Sequence, residues 1–155
     1  MKRCWLLKTE PSVFSYDDLA RKGPTGWDGV RNYQARNLLR DDLKKGDRVL
    51  VYHSNADPPC VAGIGEVVRE GHPDPTQFDR RSDHHDPSSA KDAPRWFQVE
   101  VKAVRKLRHP VSLDRMKATK ALAGMPLLRK GNRLSVQPVS PEEFALVLQL
   151  SESPE

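Results

Sequence analysis

Four consecutive residues, Val49-Leu50-Val51-Tyr52, follow the turn pair Gly46-Asp47 and leave no polar face on a strand over residues 48–54. Successive strand side chains point to opposite sides, so an all-apolar strand has to be covered on both. Such a strand belongs at the centre of a sheet or in a barrel wall, and the rest of the chain must supply two covering layers. Thirteen prolines in 155 residues limit the suppliers to short elements joined by turns, which argues against an all-helical bundle.

The remaining pattern supplies strands and short helices in an irregular order. Residues 3–9 read as a buried opening strand ended by Glu10-Pro11, and Ser15 starts a short helix with Asp17 and Asp18 at its positive end. Asn32 is placed to cap a helix over residues 33–43, whose Ala35, Leu38, Leu39 and Leu43 share a face. A strand over 61–69 carries Gly63 and Gly65, which mark a bulge or the close approach of another backbone or a ligand. The strand over 96–105 alternates Phe97, Val99, Val101 and Ala103 with Gln98, Glu100 and Lys102. A helix over 112–119, a closing strand over 134–139 and a helix over 141–149 complete the chain, the last opened by Ser140-Pro141-Glu142-Glu143 with Glu143 set for a capping box. Between residues 71 and 94 the composition turns to Asp, Pro, Ser and His, with one helical turn near 76–79, and reads as either disorder or a functional flap. About five strands with peripheral short helices predict an α+β chain built on a small, strongly curved sheet or mixed β-barrel.

The length fits one domain, here residues 1–150 with 151–155 as a C-terminal tail. Net charge is +5, distributed as +3 over residues 1–58, −3 over 59–94 and +5 over 95–155. If the two basic thirds fold together they present a cationic surface to a polyanion, although ordinary soluble proteins carry similar surpluses. The two cysteines, Cys4 and Cys60, sit in strand-like stretches and read as buried thiols in a reducing compartment. No run is long enough to span a membrane and none forms a signal-peptide core, so the expected location is the cytosol, or a nucleus if the source has one.

The densest chemistry lies in Trp27-Asp28-Gly29-Val30-Arg31-Asn32-Tyr33-Gln34-Ala35-Arg36-Asn37. Aromatic faces stack on bases, arginine pairs with phosphate or a base edge, and an asparagine amide offers donor and acceptor to a Watson-Crick edge. Each has a plainer role: Trp27 as a core plug, Arg31 in a salt bridge, Asn32 as a cap. Tyr52-His53-Ser54-Asn55 ends the all-apolar strand with polar tips, where small sheets present binding groups. Ser54 has no nucleophile-elbow glycines around it, so His53 and Ser54 do not read as a hydrolase pair. Lys8 is a phosphate contact or a strand-end charge, and Trp96 is a second pocket wall or a structural ring. Asp83-His84-His85-Asp86 looks like metal-ligand material, but adjacent side chains rarely converge on one ion, so no metal is expected. Gly63-Ile64-Gly65 lacks the third glycine of a dinucleotide fingerprint and no phosphate-binding Gly-Lys loop occurs, so no nucleotide cofactor is expected either.

The Trp27–Asn37 run, with Trp5-Leu6-Leu7-Lys8-Thr9-Glu10-Pro11, Tyr52-His53-Ser54, the Gly63-to-Arg69 stretch with Pro73-Asp74-Pro75-Thr76, and Arg133-Leu134-Ser135-Val136-Gln137-Pro138-Val139, resembles the EVE domain. The resemblance covers residues 3–150. It implies the PUA-like superfamily of small mixed β-barrels with flanking helices, which includes the YTH readers of N6-methyladenine, and it looks related to the thymocyte nuclear protein of animals. It also implies a non-enzymatic domain that reads a modified base in DNA or RNA. By the resemblance Trp27 is the aromatic wall, Arg31 and Asn32 are polar contacts, and Lys8, Tyr52, Ser54, Trp96 and Ser135 form the pocket rim. One departure is that the flap near Asp86 carries His84 and His85 where related chains tend to have an aromatic residue, which makes stacking poorer and binding sensitive to pH near a histidine's ordinary pKa of about 6.5. Two other readings stand beside this one: an enzyme acting on a small modified nucleoside or polar metabolite, with His53 or a flap histidine as acid or base, and a protein-interaction module.

Overall fold

The computed structural model describes residues 2–155. Its core is one six-stranded sheet: β1 (Cys4–Thr9), β2 (Thr25–Gly26), β3 (Arg48–His53), β4 (Cys60–Pro73), β5 (Phe97–Ser112) and β6 (Val136–Val139), in the order β2-β5-β4-β3-β1-β6. The all-apolar strand is β3, between β4 and β1, as its sequence requires. The β1–β3 pair is parallel and every other pair antiparallel. The expected barrel does not close. Among the described residues no ladder joins β2 to β6, because β2 is two residues long and β6 is a four-residue edge strand whose Pro138 has no N–H to offer.

Two hydrophobic layers seal the two faces. Trp5, Leu7, Val49, Val51, Val67, Val99 and Val101 point to one side, where α1 (Tyr16–Lys22), α2 (Tyr33–Asn37) and the turn after it cover them with Leu19, Ala35 and Leu39. Leu6, Leu50, Tyr52, Val61 and Ile64 point to the other, beneath α3 (Leu113–Lys117), two 3-10 turns and α4 (Pro141–Leu150). The capping predictions hold: Ser15 and Ser140 each form a reciprocal box, with Asp18 and Glu143. The helix expected over 33–43 is α-helical for five residues and then opens into a π-helical turn, Leu38–Asp42, closed by the Leu43 N–H on the Leu38 carbonyl.

Both long strands outrun their predicted limits, β4 reaching Pro73 and β5 reaching Ser112, with register shifts that bend them together. Gly63 sits at one shift, and a Cβ there would fall 2.3 Å from the buried Tyr16 ring, so bulge and close approach both apply. The 74–94 segment is ordered by hydrogen bonds rather than disordered. The buried Gln77 amide donates to the Asp74 and Trp96 carbonyls, and its carbonyl accepts from Arg95 N–H, Trp96 N–H and Ser89 Oγ. Cys4 and Cys60 are free but half-buried rather than buried, since each lies at the first position of its strand. Residues 151–155 pack back on the domain: Ser112 donates its N–H and hydroxyl to the Glu155 carboxylate, and Arg115 reaches the Ser153 carbonyl.

Candidate functional site

The C-terminal ends of β1 and α1, the turn between them and the start of the loop after β2 enclose a cavity of about 320 Å³, within the range of ligand pockets, about 300–1,000 Å³. Lys8 and Thr9 come from β1, Val13 and Phe14 from the turn, Lys22 from α1, and Thr25, Gly26, Trp27 and Asp28 from β2 and its loop. The Thr9 hydroxyl donates to the Phe14 carbonyl (2.7 Å) and holds the turn, while the Trp27 N–H donates to Val99 (2.8 Å) and holds the loop. Phe14 and Trp27 meet edge to face with centroids 6.3 Å apart. Trp27 is 7% exposed and belongs to the core as well as to the cavity wall.

Two opposite charges face this space without partners. The Asp28 carboxylate and the Lys8 ammonium form no side-chain hydrogen bond or ion pair with any described residue. Desolvation, and after it the neighbouring Asp74 carboxylate, push the Asp28 pKa up, while desolvation pulls the Lys8 pKa down. Each group is therefore drawn toward neutrality by its surroundings. A ligand that gives Asp28 a donor and Lys8 an acceptor would pair both groups.

The cavity wall is set by a network centred on Asp74, whose side chain is wholly buried. It accepts from the Gly29 N–H (2.8 Å), the Thr76 N–H (2.8 Å) and hydroxyl (2.6 Å), and Arg31 Nη1 (3.1 Å). Desolvation opposes ionisation of Asp74, and the bonds from Thr76, Gly29 and Arg31 outweigh it and hold its pKa below the usual carboxylate value. Arg31 also donates to the Thr76 hydroxyl and the His84 carbonyl, which fixes His84 against the cavity. Gly29, at φ 78°, lets the chain turn there, and a Cβ on it would fall 2.6 Å from the His84 ring.

The other sequence candidates lie elsewhere. Arg31 has its guanidinium committed to the internal network instead of the cavity. Asn32 is the helix cap, its side-chain oxygen accepting from Ala35 N–H at 3.0 Å, and its amide group is exposed. Tyr52 points into the core on the opposite face of the sheet, where desolvation, with a smaller push from Cys60, raises its pKa to about 12. His53 Nε2 accepts the Tyr16 N–H at 3.0 Å, and burial lowers its pKa. Ser54 and Ser135 touch the site only through backbone, the first donating its N–H to the Thr9 carbonyl and the second accepting from Lys8 N–H. Trp96 is 6% exposed, donates its indole N–H to Asp86 at 2.7 Å and stacks on Tyr33, away from the cavity. Sequence reasoning missed Phe14, Thr25 and Asp28 as cavity groups. The signal for Asp28 was its place beside Trp27, whereas Phe14 offered none.

The EVE domain family model matches residues 3–150. Human thymocyte nuclear protein 1 is 44% identical over 167 residues, spanning 96% of this chain and 73% of that protein. The crystal structure of human THYN1 protein in complex with 5-methylcytosine-containing DNA superimposes with a TM-score of 0.90 at 42% identity, covering 98% of this chain and 99% of that one. A hypothetical protein from Leishmania major gives a TM-score of 0.93 at 44% identity, over 98% and 96% of the two chains.

Proposed function

Because this chain belongs to the EVE domain family, we propose that it is a non-enzymatic reader of a modified base in DNA, and that 5-methylcytosine enters the Trp27 cavity. The observation that carries the reading is the unpartnered Asp28–Lys8 pair beside two aromatic rings, in a fold shared with a protein crystallised on 5-methylcytosine DNA. A cytosine edge supplies what the pair lacks: its N4 amino group donates to a carboxylate, and its ring nitrogen and carbonyl accept from an ammonium. The 5-methyl group then lies against the apolar wall of Phe14 and Trp27. Burying one methyl contributes about 0.8 kcal/mol, or about fourfold in affinity. A base buried there has left its stack, which costs a few kcal/mol and favours sites already single-stranded or distorted.

Acid–base chemistry at the same place finds less support. His53, one of the histidines considered for it, spends its acceptor nitrogen on the Tyr16 N–H.

Fluorescence anisotropy with matched oligonucleotides carrying cytosine, 5-methylcytosine, 5-hydroxymethylcytosine or N6-methyladenine, as DNA and as RNA, tests the reading. Binding to 5-methylcytosine DNA at least about fourfold tighter than to unmodified DNA is expected. Equal affinity for all of them overturns it. Trp27→Ala is a poor control, because truncating a tryptophan of the core costs about 3–5 kcal/mol of stability; Asp28→Asn leaves the packing in place.

A further inference from the structure

A second surface runs outward from the cavity wall. Arg31, which holds the His84 carbonyl, lies over the Trp96 ring at 5.2 Å; Trp96 stacks on Tyr33 with centroids 4.8 Å apart and planes at 25°; Arg36 caps Tyr33 at 4.9 Å. Cation, ring, ring and cation thus contact one another in series, beginning at the cavity wall. Trp96 is anchored by Asp86, and Tyr33 is 51% exposed, among the most exposed large apolar side chains of the fold.

The far end of the series is a pair of arginines. Arg36 Nη1 donates to the Arg95 carbonyl at 2.6 Å and Nε to Asn37 at 2.8 Å, which holds the guanidinium over Tyr33. Arg95 is exposed, with Nη1 3.5 Å from the Tyr33 hydroxyl. Neither has a carboxylate partner among the described residues, whereas nearby Arg40 is doubly bonded to Asp41. Guanidinium groups match the geometry of phosphate oxygens in a bidentate way, and one already immobilised on a ring loses little entropy on binding.

We propose that Arg36 and Arg95 clamp the phosphodiester backbone of the strand whose base enters the cavity, with the Trp96–Tyr33 stack as the rigid post that sets the distance between clamp and cavity. The proposal rests on the base-reader function. Its chemistry is sequence-independent: the clamp supplies affinity and register, and the cavity supplies discrimination.

The double variant Arg36→Gln/Arg95→Gln, compared with wild type on marked and unmarked oligonucleotides across a salt series, tests it. The expected result is a loss of roughly tenfold at low salt, the same for both oligonucleotides, with the slope of log K against log salt falling by about 1 per arginine. Binding of free 5-methyl-2′-deoxycytidine stays unchanged. An unaltered slope and affinity overturn the clamp and turn the surface toward an acidic protein partner, and a loss confined to the marked oligonucleotide overturns it equally. If wild type does not discriminate between oligonucleotides the base-reader function fails, yet the salt slope still reports on the clamp, so the two failures are separable. Thermal melting confirms that the substitutions leave the fold intact.

Discussion

Asp28 and Asp74 are carboxylates with opposite environments, and their pH behaviour runs in opposite directions. Asp28 has its pKa raised, so the folded chain holds that proton more tightly than the unfolded one does. Its contribution is most favourable below the unfolded value of about 3.9 and is lost as pH rises through the folded value. Asp28→Asn is therefore expected to melt higher than wild type at pH 7, with the gap closing in acid, while weakening binding of a 5-methylcytosine oligonucleotide about tenfold, since a charged acceptor becomes a neutral one. Paired melting and anisotropy curves check both signs. Asp74 has its pKa lowered, so its stabilisation is complete above the unfolded value and drains away as pH falls through the folded one. Arg31→Ala removes one of the four donors to the buried Asp74 carboxylate and is expected to cost about 1.5–3 kcal/mol. Arg31→Lys does not restore it, because a lysine cannot reach Asp74, Thr76 and His84 from one planar fork. The Arg31 case also shows what a sequence conceals. An arginine beside a helix start reads as a phosphate ligand until its acceptors are known, and these lie 43 to 53 positions away.

Among the elements, those with periodic sequences were legible and the 74–94 segment was not. Alternation placed β5, the doubly apolar run placed β3, and Ser15 and the Ser140 capping box placed two helix starts within a residue. The limits of β4 and β5 were misjudged, because Gly71, His72, Pro73 and the charged run of residues 105–109 lack apolar alternation and owe their strand geometry to each other and to the bends between them. The 74–94 segment is held by polar side chains with distant partners, and composition cannot distinguish that from disorder. Gln77 is its keystone. Gln77→Leu leaves the Trp96 N–H without its acceptor, leaves the Arg95 N–H only the Ser89 hydroxyl and removes both amide donors, and is expected to cost about 3 kcal/mol. Hydrogen exchange should accelerate across residues 74–96 while amides of β3 and β4 stay protected. Uniform acceleration over the whole chain would show instead that the segment and the sheet open together.

For the molecule as a whole, a sheet covered on both faces followed from one strand, but whether the sheet closes did not. Closure depends on the edge strands, and β2 is too short to leave a trace in the sequence. The cavity opens on the side of the sheet where Trp27 and Phe14 pack, while Leu50 and Leu6 belong to the opposite core. Leu50→Ala is expected to cost about 2–5 kcal/mol, lowering Tm by several degrees, with the dissociation constant for a marked oligonucleotide unchanged at temperatures where the variant is folded. A change in that constant would mean that the two cores communicate through the sheet. Insulation of this kind makes the domain a convenient chassis for a sensor. The far core can be redesigned for heat resistance, and a dye can be attached through the helices that cover it, without retuning the chamber on the other side. A destabilising change there would lower how much folded protein a cell contains before it altered what the cavity binds.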